Sequence, residues 1–215
     1  MNQALSFVHR YEPAARSGAP TLLLLHGTGG NEDDLLPLGP LIAPGAAMLS
    51  PRGKVLENGM PRFFRRIAEG VFDEDDVRRR ANELADFVVE AGKAYGIAAP
   101  VAVGYSNGAN IAAAILLLRP GVLAGAILMR AMAPLGETPT GGLAGKRVLI
   151  LSGARDPLAA PANAARLASI LQAAGASVEH RTVPTGHELS QADIAVARTW
   201  LESGDATSAR PRQRN

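Results

Sequence analysis

Five residues, Gly104-Tyr105-Ser106-Asn107-Gly108, match the pattern G-x-S-x-G and lie between an apolar run and a helix-like run. In a nucleophile elbow the serine occupies a strained turn between a buried strand and a helix, and glycines flank it because side chains there would collide with the neighbouring backbone. The hydroxyl then lies above a helix N-terminus, whose free N–H groups face the oxygen that becomes negative during acyl transfer. The pentapeptide predicts a nucleophilic Ser106, although glycines at such a junction can also serve the turn alone.

A serine nucleophile of this type needs a carboxylate after a later strand and a histidine near the C-terminus. Asp156 directly follows the apolar run Val148 to Leu151. A carboxylate at the C-terminal end of a parallel strand lies where ligands bind in open α/β sheets, so Asp156 is the predicted acid. The alternative is that Asp156 and Pro157 only begin a turn and cap the helix that starts near Pro161.

The chain has four histidines, which differ in their predicted positions. His9 and His180 fall in predicted strands and are expected to be exposed, and His26 follows a strand and is expected to order a loop. His187 lies in the glycine-containing loop 185–189 before the final helix. This loop can carry an imidazole to the serine, so His187 is the predicted base, with a surface or helix-capping histidine as the alternative.

Several segments resemble the phospholipase/carboxylesterase group of α/β-hydrolases, small enzymes without a lid that include acyl-protein thioesterases and bacterial esterases. The resemblance extends over nearly the whole chain except its C-terminal tail. Members of the group usually have glutamine after the nucleophile, whereas this chain has Asn107, as in a subset of bacterial esterases. The matching segments are Leu25 to Leu35, Ser50 to Gly53, the elbow, Ser152 to Pro157, and Gly186-His187.

The resemblance also implies where the oxyanion donors lie. Glycines in the loop from His26 to Gly30 let backbone N–H groups turn inward as a small anion nest. The backbone N–H groups of Thr28 and Asn107 are assigned as the pair of donors, and the loss of one such donor typically costs about 100- to 1,000-fold in rate. A plain glycine turn before the acidic helix cap 31–34 is the alternative, and both interpretations can hold together.

Composition indicates one enzyme domain, residues 1–203, followed by a tail, 204–215, that is expected to be disordered. The formal charge of +2 gives no reason to expect nucleic acid or membrane insertion, and the absence of a signal peptide or long apolar run favours a cytoplasmic protein. Without cysteine there are no disulfides, thiolate metal sites or cysteine nucleophiles. No motif suggests a metal or nucleotide cofactor, and none is expected.

Apolar strand-like runs alternate with longer helical stretches, which predicts an α/β fold with a mostly parallel central sheet and helices on both faces. The predicted strands are Thr21 to Leu25, Ala46 to Ser50, Pro100 to Val103, Ala126 to Met129, Val148 to Leu151 and Val178 to Val183. The predicted helices are Asp33 to Ile42, Asp73 to Tyr95, Asn107 to Leu118, Pro161 to Ala174 and Ser190 to Leu201.

The segment from Arg130 to Lys146 is too short to contain the helical cap of many α/β-hydrolases, so an open site without a cap domain is expected. The long loop from Pro51 to Phe72 is the predicted partial cover. Apolar side chains of such a loop can line a substrate groove or can simply pack the loop against the core. The candidate substrate contacts are Met60, Phe63, Phe64, Met132, Leu158 and Leu189.

The sequence thus predicts a serine-dependent carboxylesterase with the triad Ser106, Asp156 and His187, acting through an acyl-enzyme on a small-molecule ester. Short to medium acyl esters are the expected substrates, with polymeric esters as a further option. The alternatives are an acyl thioesterase or lysophospholipase and, from another class, a non-catalytic ligand-binding protein with the same fold. Apolar loops around an open site are also compatible with a homodimer.

Overall fold

The computed structural model describes residues 5–137 and 141–208. The strands in these residues are β1 (His9–Glu12), β2 (Thr21–Leu25), β3 (Ala47–Pro51), β4 (Val55–Glu57), β5 (Met60–Arg62), β6 (Arg66–Ala68), β7 (Val71–Phe72), β8 (Val101–Tyr105), β9 (Gly125–Met129), β10 (Arg147–Gly153) and β11 (Ser177–Val183). The α-helices are α1 (Gly39–Ile42), α2 (Glu74–Tyr95), α3 (Asn107–Leu118), α4 (Pro161–Ala173) and α5 (Gln191–Ser208).

Seven strands form one sheet in the order β1-β3-β2-β8-β9-β10-β11. Only β1 is antiparallel to its neighbour, and the other pairings are parallel. From β2 the chain first adds β3 on one side and later adds β8 on the other. Ligands bind at such a reversal, outside the carboxyl ends of the strands, and the loops that follow β2 and β8 therefore form the expected site.

Helices cover both faces of the sheet, as predicted for an α/β-hydrolase fold. The core on one face contains side chains of α2, α3 and α4, including Leu84, Ile111 and Leu167. The core on the other face contains Ile42 of α1 and Trp200 of α5. Helix α3 is buried from Asn107 to Leu117, so it is apolar on nearly every side and fixes the position of the residue that precedes it.

Most predicted elements are confirmed within one or two residues of their ends, but the helix predicted from Asp33 to Ile42 was wrong. Its place is taken by a short 3-10 turn, Leu36–Leu38, and the single turn α1. Pro37 and Pro40 each occupy one of the first positions of these turns. Proline lacks an N–H donor, so a continuous helix cannot extend through both residues.

The segment predicted as a loop from Pro51 to Phe72 contains two small antiparallel hairpins, β4–β5 and β6–β7. The described part of the segment 130–146 has no helix, in agreement with the absence of a cap. Helix α5 extends to Ser208, so it includes the first five residues of the predicted tail 204–215, and residues 209–215 lie outside the described residues. None of the helices in the described residues is both long and apolar enough to cross a bilayer.

Candidate active site

Ser106 lies between β8 and α3 with φ +52° and ψ −114°, a conformation that side-chain-bearing residues rarely adopt. The two glycines of the elbow are needed for close packing. A Cβ on Gly104 would lie 2.6 Å from the carbonyl oxygen of Gly108, and a Cβ on Gly108 would overlap the carbonyl of Leu25. The strand, the turn and the buried helix together hold the Ser106 hydroxyl at the carboxyl edge of the sheet.

The structure brings Ser106, His187 and Asp156 together. His187 Nε2 lies 3.0 Å from Ser106 Oγ, and His187 Nδ1 lies 2.9 Å from Asp156 Oδ2. Since a carboxylate only accepts, Nδ1–H donates to Asp156 and Nε2 is left to accept from the serine hydroxyl. This is the arrangement in which an imidazole can remove a proton from a nucleophile.

Asp156 both caps the turn that follows it and contacts His187, so the turn interpretation and the interpretation as partner of the histidine hold together. Its Oδ1 accepts from the N–H groups of Leu158 and Ala159, at 2.8 and 2.9 Å, which leaves Oδ2 for His187. Burial alone raises the pKa of Asp156, but these N–H donors together with His187 outweigh it and hold that pKa below its ordinary value. The carboxylate therefore stays ionised beside the imidazole.

The loop that carries His187 has no regular secondary structure, yet four consecutive carbonyl groups accept hydrogen bonds from other parts of the chain. Thr185 O accepts from the backbone N–H of Arg155, and His187 O accepts from the hydroxyl of Tyr105 at 3.1 Å. Gly186 O and Glu188 O accept from Arg130, at 3.0 and 2.8 Å. These bonds fix the backbone on both sides of His187.

Arg130 follows β9 and is only 1% exposed, with φ +58°. Its guanidinium forms a bidentate pair with Asp193, at 2.8 and 2.9 Å, and donates also to Thr185 Oγ1. Asp193 in turn accepts from the N–H and hydroxyl of Ser190. Neither Arg130 nor Asp193 belongs to a recognisable motif, so their pairing was not predictable from the sequence pattern.

The two N–H groups predicted as oxyanion donors, of Thr28 and Asn107, differ from the neighbouring N–H groups of the loop. Within the part of the chain that the structure describes, neither the N–H of Thr28 nor that of Asn107 donates to a protein acceptor. The neighbouring groups are occupied, since Gly29 N–H donates to Pro61 O and Gly30 N–H donates to Gly27 O. A Cβ on Gly27 would lie 3.7 Å from Ser106 Cβ, so this loop passes directly beside the nucleophile.

His26 orders this loop, as the sequence predicted. Its Nδ1 lies 2.6 Å from Gly27 O, and its Nε2 accepts from the N–H of Gly53 at 3.0 Å. The neutral imidazole with a proton on Nδ1 satisfies both partners, whereas a proton on Nε2 would face the Gly53 N–H. Burial, the largest effect, lowers the pKa of His26.

The expectation that His9 and His180 are exposed was wrong, because both side chains are half-buried and hydrogen-bonded. His9 lies 2.7 Å from Phe7 O and 2.6 Å from Tyr95 Oη. His180 lies 2.8 Å from Ser152 Oγ. Neither histidine is among the partners of Ser106.

A groove of about 400 Å³ adjoins the loop after β2 and the residues next to Ser106 and His187 in the chain, and it is lined by Gly27, Thr28, Gly30, Asp34, Leu35, Tyr105, Glu188 and Leu189. Of the candidate substrate contacts, Leu189 lines this groove. Met60 and Leu158 are exposed: Met60 lies against Gly29, and Leu158 follows Asp156 by two residues. Phe63 and Phe64 are 3% and 0% exposed and belong to the core, so the packing interpretation holds for them. Met132 is also buried.

Asn107 ties the elbow to the segment that contains these phenylalanines. Its side-chain oxygen accepts from the N–H of Phe63 at 2.7 Å, and the next polar residue of α3, Asn110, accepts from the N–H of Met132 at 2.8 Å. These two amides therefore hold the loops on either side of Ser106 against the helix that follows it. From the sequence, Asn107 was predicted to act through its backbone N–H, and no partner was predicted for its side chain.

Known proteins with the same architecture were found by both sequence and structure. The putative hydrolase MhqD of Bacillus subtilis (strain 168) is 47% identical over 196 residues, which cover 90% of this chain and 97% of that protein. A carboxylesterase from Bacillus cereus is 44% identical with a TM-score of 0.89, over 92% of this chain and 94% of that one. A carboxylesterase from Mesorhizobium loti is 36% identical with a TM-score of 0.88, over 92% and 95%. No protein-family model matches the chain.

The sheet order, the flanking helices and these similarities define an α/β-hydrolase. Within that fold, the chain belongs to the phospholipase/carboxylesterase family, and its relatives support an esterase-type hydrolase activity.

Proposed function

We propose that this protein is a serine carboxylesterase in which Ser106, His187 and Asp156 form the catalytic triad. The observation that carries the proposal is the pair of distances that joins the three side chains, 3.0 Å from Ser106 Oγ to His187 Nε2 and 2.9 Å from His187 Nδ1 to Asp156 Oδ2. The ionised state of Asp156 and the Nδ1–H tautomer of His187 leave Nε2 as the acceptor for the serine proton.

The reaction begins when His187 Nε2 takes the proton of Ser106 Oγ as that oxygen attacks the ester carbonyl carbon. The carbonyl oxygen becomes negative, and the free N–H groups of Thr28 and Asn107 stabilise it. The C–O bond to the alcohol then breaks, and His187 gives its proton to the departing oxygen. Water, activated by the same imidazole, releases the acid from the acyl-enzyme and restores Ser106.

The groove favours small esters that carry no negative charge. Its volume of about 400 Å³ lies at the lower end of the range typical of small-molecule sites, and no cap covers it among the residues 5–137 and 141–208. Leu35, Tyr105 and Leu189 offer apolar contact, while Asp34 and Glu188 add two carboxylates. The N–H of Gly186 lowers the pKa of Glu188, which keeps that carboxylate ionised. Short neutral acyl esters therefore fit better than esters of dicarboxylic acids.

The experiment combines labelling and turnover. The protein is treated with a fluorophosphonate, the modified peptide is identified by mass spectrometry, and p-nitrophenyl esters of increasing acyl length are hydrolysed in parallel. Labelling confined to Ser106, with a loss of roughly four orders of magnitude in Ser106→Ala, is the expected result. Unchanged ester turnover in the folded alanine variant would reject the proposal. Matched acyl thioesters, lysolipids and a monoalkyl succinate define the substrate class.

A further inference from the structure

Arg62, the last residue of β5, is 3% exposed and lies behind the oxyanion loop. Its Nη1 donates to Thr28 Oγ1 at 2.9 Å, its Nε donates to Phe64 O at 3.2 Å, and Glu57 lies 3.0 Å from Nη1. Together with the bond from Gly29 N–H to Pro61 O, these contacts join the hairpin β4–β5 to the loop that contains Thr28.

The bond from Arg62 determines what the Thr28 hydroxyl can do. A guanidinium has five N–H donors and no acceptor, so the oxygen of Thr28 must accept, and its single O–H hydrogen must point elsewhere. Among the described residues, no protein acceptor receives that hydrogen. Thr28 is exposed and lines the groove that adjoins Tyr105, and the preceding Gly27 lies against Ser106, so the hydroxyl donor is available to a molecule bound there.

The location of this donor matches the chemistry of the site. The Thr28 side chain belongs to the same residue as one predicted oxyanion N–H, and the adjacent Gly27 passes directly beside Ser106. A hydroxyl that accepts from a cation is polarised and becomes a stronger donor, because successive hydrogen bonds strengthen one another where water is partly excluded. Arg62 thus orients and polarises the hydroxyl without contacting the substrate itself.

We propose that the Thr28 hydroxyl donates a hydrogen bond to the ester carbonyl oxygen as it becomes negative, beside the N–H groups of Thr28 and Asn107. Arg62 is the positioning residue of this donor. The assignment rests on the proposed serine esterase function, and it adds a third donor, contributed by a side chain, to the two backbone donors.

The test compares Thr28→Val with Thr28→Ser. Valine keeps the shape and the backbone N–H but has no hydroxyl, whereas serine keeps the hydroxyl. Thr28→Val should lower kcat and kcat/KM for p-nitrophenyl acetate together, by about 10- to 100-fold, with little change in KM, because the interaction is made in the transition state. Thr28→Ser should recover most of that loss. Inhibition by a trifluoromethyl ketone, which forms a tetrahedral oxyanion with the serine, should weaken in Thr28→Val by the same factor.

Arg62→Lys tests the role of the guanidinium by a double-mutant cycle. If Arg62 acts through the hydroxyl, its effect on kcat should appear with threonine at position 28 and largely disappear with valine there. Thr199→Val, the same chemical change on the exposed side of α5, is the matched control and should leave turnover and inhibition as in the native protein.

Two results would overturn the assignment. One is native turnover and inhibitor affinity in a folded Thr28→Val variant, and the other is an equal loss in the valine and serine variants. Ser106→Ala, measured in the same assay, separates these outcomes from a failure of the proposed function. If Ser106→Ala kept its ester turnover, the serine mechanism and the role of the hydroxyl would both be refuted. If Ser106→Ala is inactive while Thr28→Val is as active as the native protein, only the role of the hydroxyl is refuted.

Discussion

Arg130 has two roles that substitutions can distinguish: its ion pair with Asp193 stabilises the fold, and its bonds to Gly186 O and Glu188 O position His187. In Arg130→Met, Asp193 stays buried without its cation, and Gly186 O and Glu188 O lose their donors. Breaking a buried ion pair from one side typically costs about 3 to 5 kcal/mol. For a chain of this length that corresponds to a fall in Tm of about 6 to 20 °C, which leaves a folded protein at low temperature for assay.

The effect on activity arises from geometry. A displacement of about 1 Å of a catalytic group can cost about 100-fold in rate, and Arg130 holds the backbone on both sides of His187. We therefore expect kcat for p-nitrophenyl acetate to fall by about 100-fold in Arg130→Met, measured well below Tm with circular dichroism as the check of folding. Arg130→Lys keeps the charge but loses the planar fork, and should still lose about 10-fold.

The double variant Arg130→Met with Asp193→Asn gives the decisive comparison. It removes the unpaired buried charge, and the asparagine oxygen can still accept from Ser190 N–H, so much of the lost stability should return. The lost activity should not return, because the carbonyl groups beside His187 still lack their donors. Recovery of native kcat together with stability would refute the positioning role. Arg147→Lys is the matched control. Arg147 is the first residue of β10, at the end of the strand away from Ser106, and its guanidinium lies over the Trp200 ring, so this variant should change the stability of the fold but not kcat.

Three further predictions concern single residues of the site. In Asp156→Asn the amide oxygen stays with the N–H groups of Leu158 and Ala159, so the NH2 group faces His187 Nδ1 and donates to it. This holds the imidazole in the wrong tautomer and should lower kcat for p-nitrophenyl acetate by about 10⁴-fold, and a kcat within tenfold of native would contradict the triad. Because the folded pKa of His26 is lowered, the unfolded chain binds a proton that the folded chain does not, and the free energy of unfolding should fall as the pH drops below 6.5. The slope from this group is at most about 1.4 kcal/mol per pH unit, and urea titrations should show it reduced in His26→Gln; equal slopes would exclude His26 as the cause. Gly108→Ala should lose several kcal/mol of stability because its Cβ overlaps backbone, whereas Gly121→Ala, with open space around it, should not, and similar midpoints in urea would refute this packing argument.

Elements with strong apolar runs and clear ends were predictable from the sequence. Strand β2 and helix α3 have the predicted boundaries, Thr21–Leu25 and Asn107–Leu118, because each is nearly continuous in apolar residues and bounded by turn or polar residues. The positions of Ser106, Asp156 and His187 followed from the same logic, since side chains after parallel strands meet at one edge of the sheet. Local patterns therefore sufficed for the three side chains that the structure brings together.

Contacts between distant parts of the chain were not predictable in this way. Arg130 and Asp193 are 63 residues apart, and nothing in either local sequence distinguishes them from the other charged residues. Phe63 and Phe64 lie in a segment rich in glycine and arginine that lacks a long apolar run, so their burial depends on the hairpins and on the bond from Phe63 N–H to Asn107. Such residues are identified only when the fold brings their partners together.

The segment 51–72 contacts the elbow and the loop 26–30 through its inward-facing groups, while several of its outward-facing side chains are exposed. Pro61, Arg62 and Phe63 bind the oxyanion loop and the elbow, whereas Leu56 and Ile67 are 69% and 75% exposed. The two hairpins thus divide one short stretch into residues that hold the elbow and the loop of Thr28 in place and residues that do not. Substitutions at Leu56 and Ile67 should therefore leave the distances among Ser106, His187 and the loop of Thr28 unchanged, whereas substitutions at Arg62 or Phe63 should alter them, so this short segment can vary on one side only.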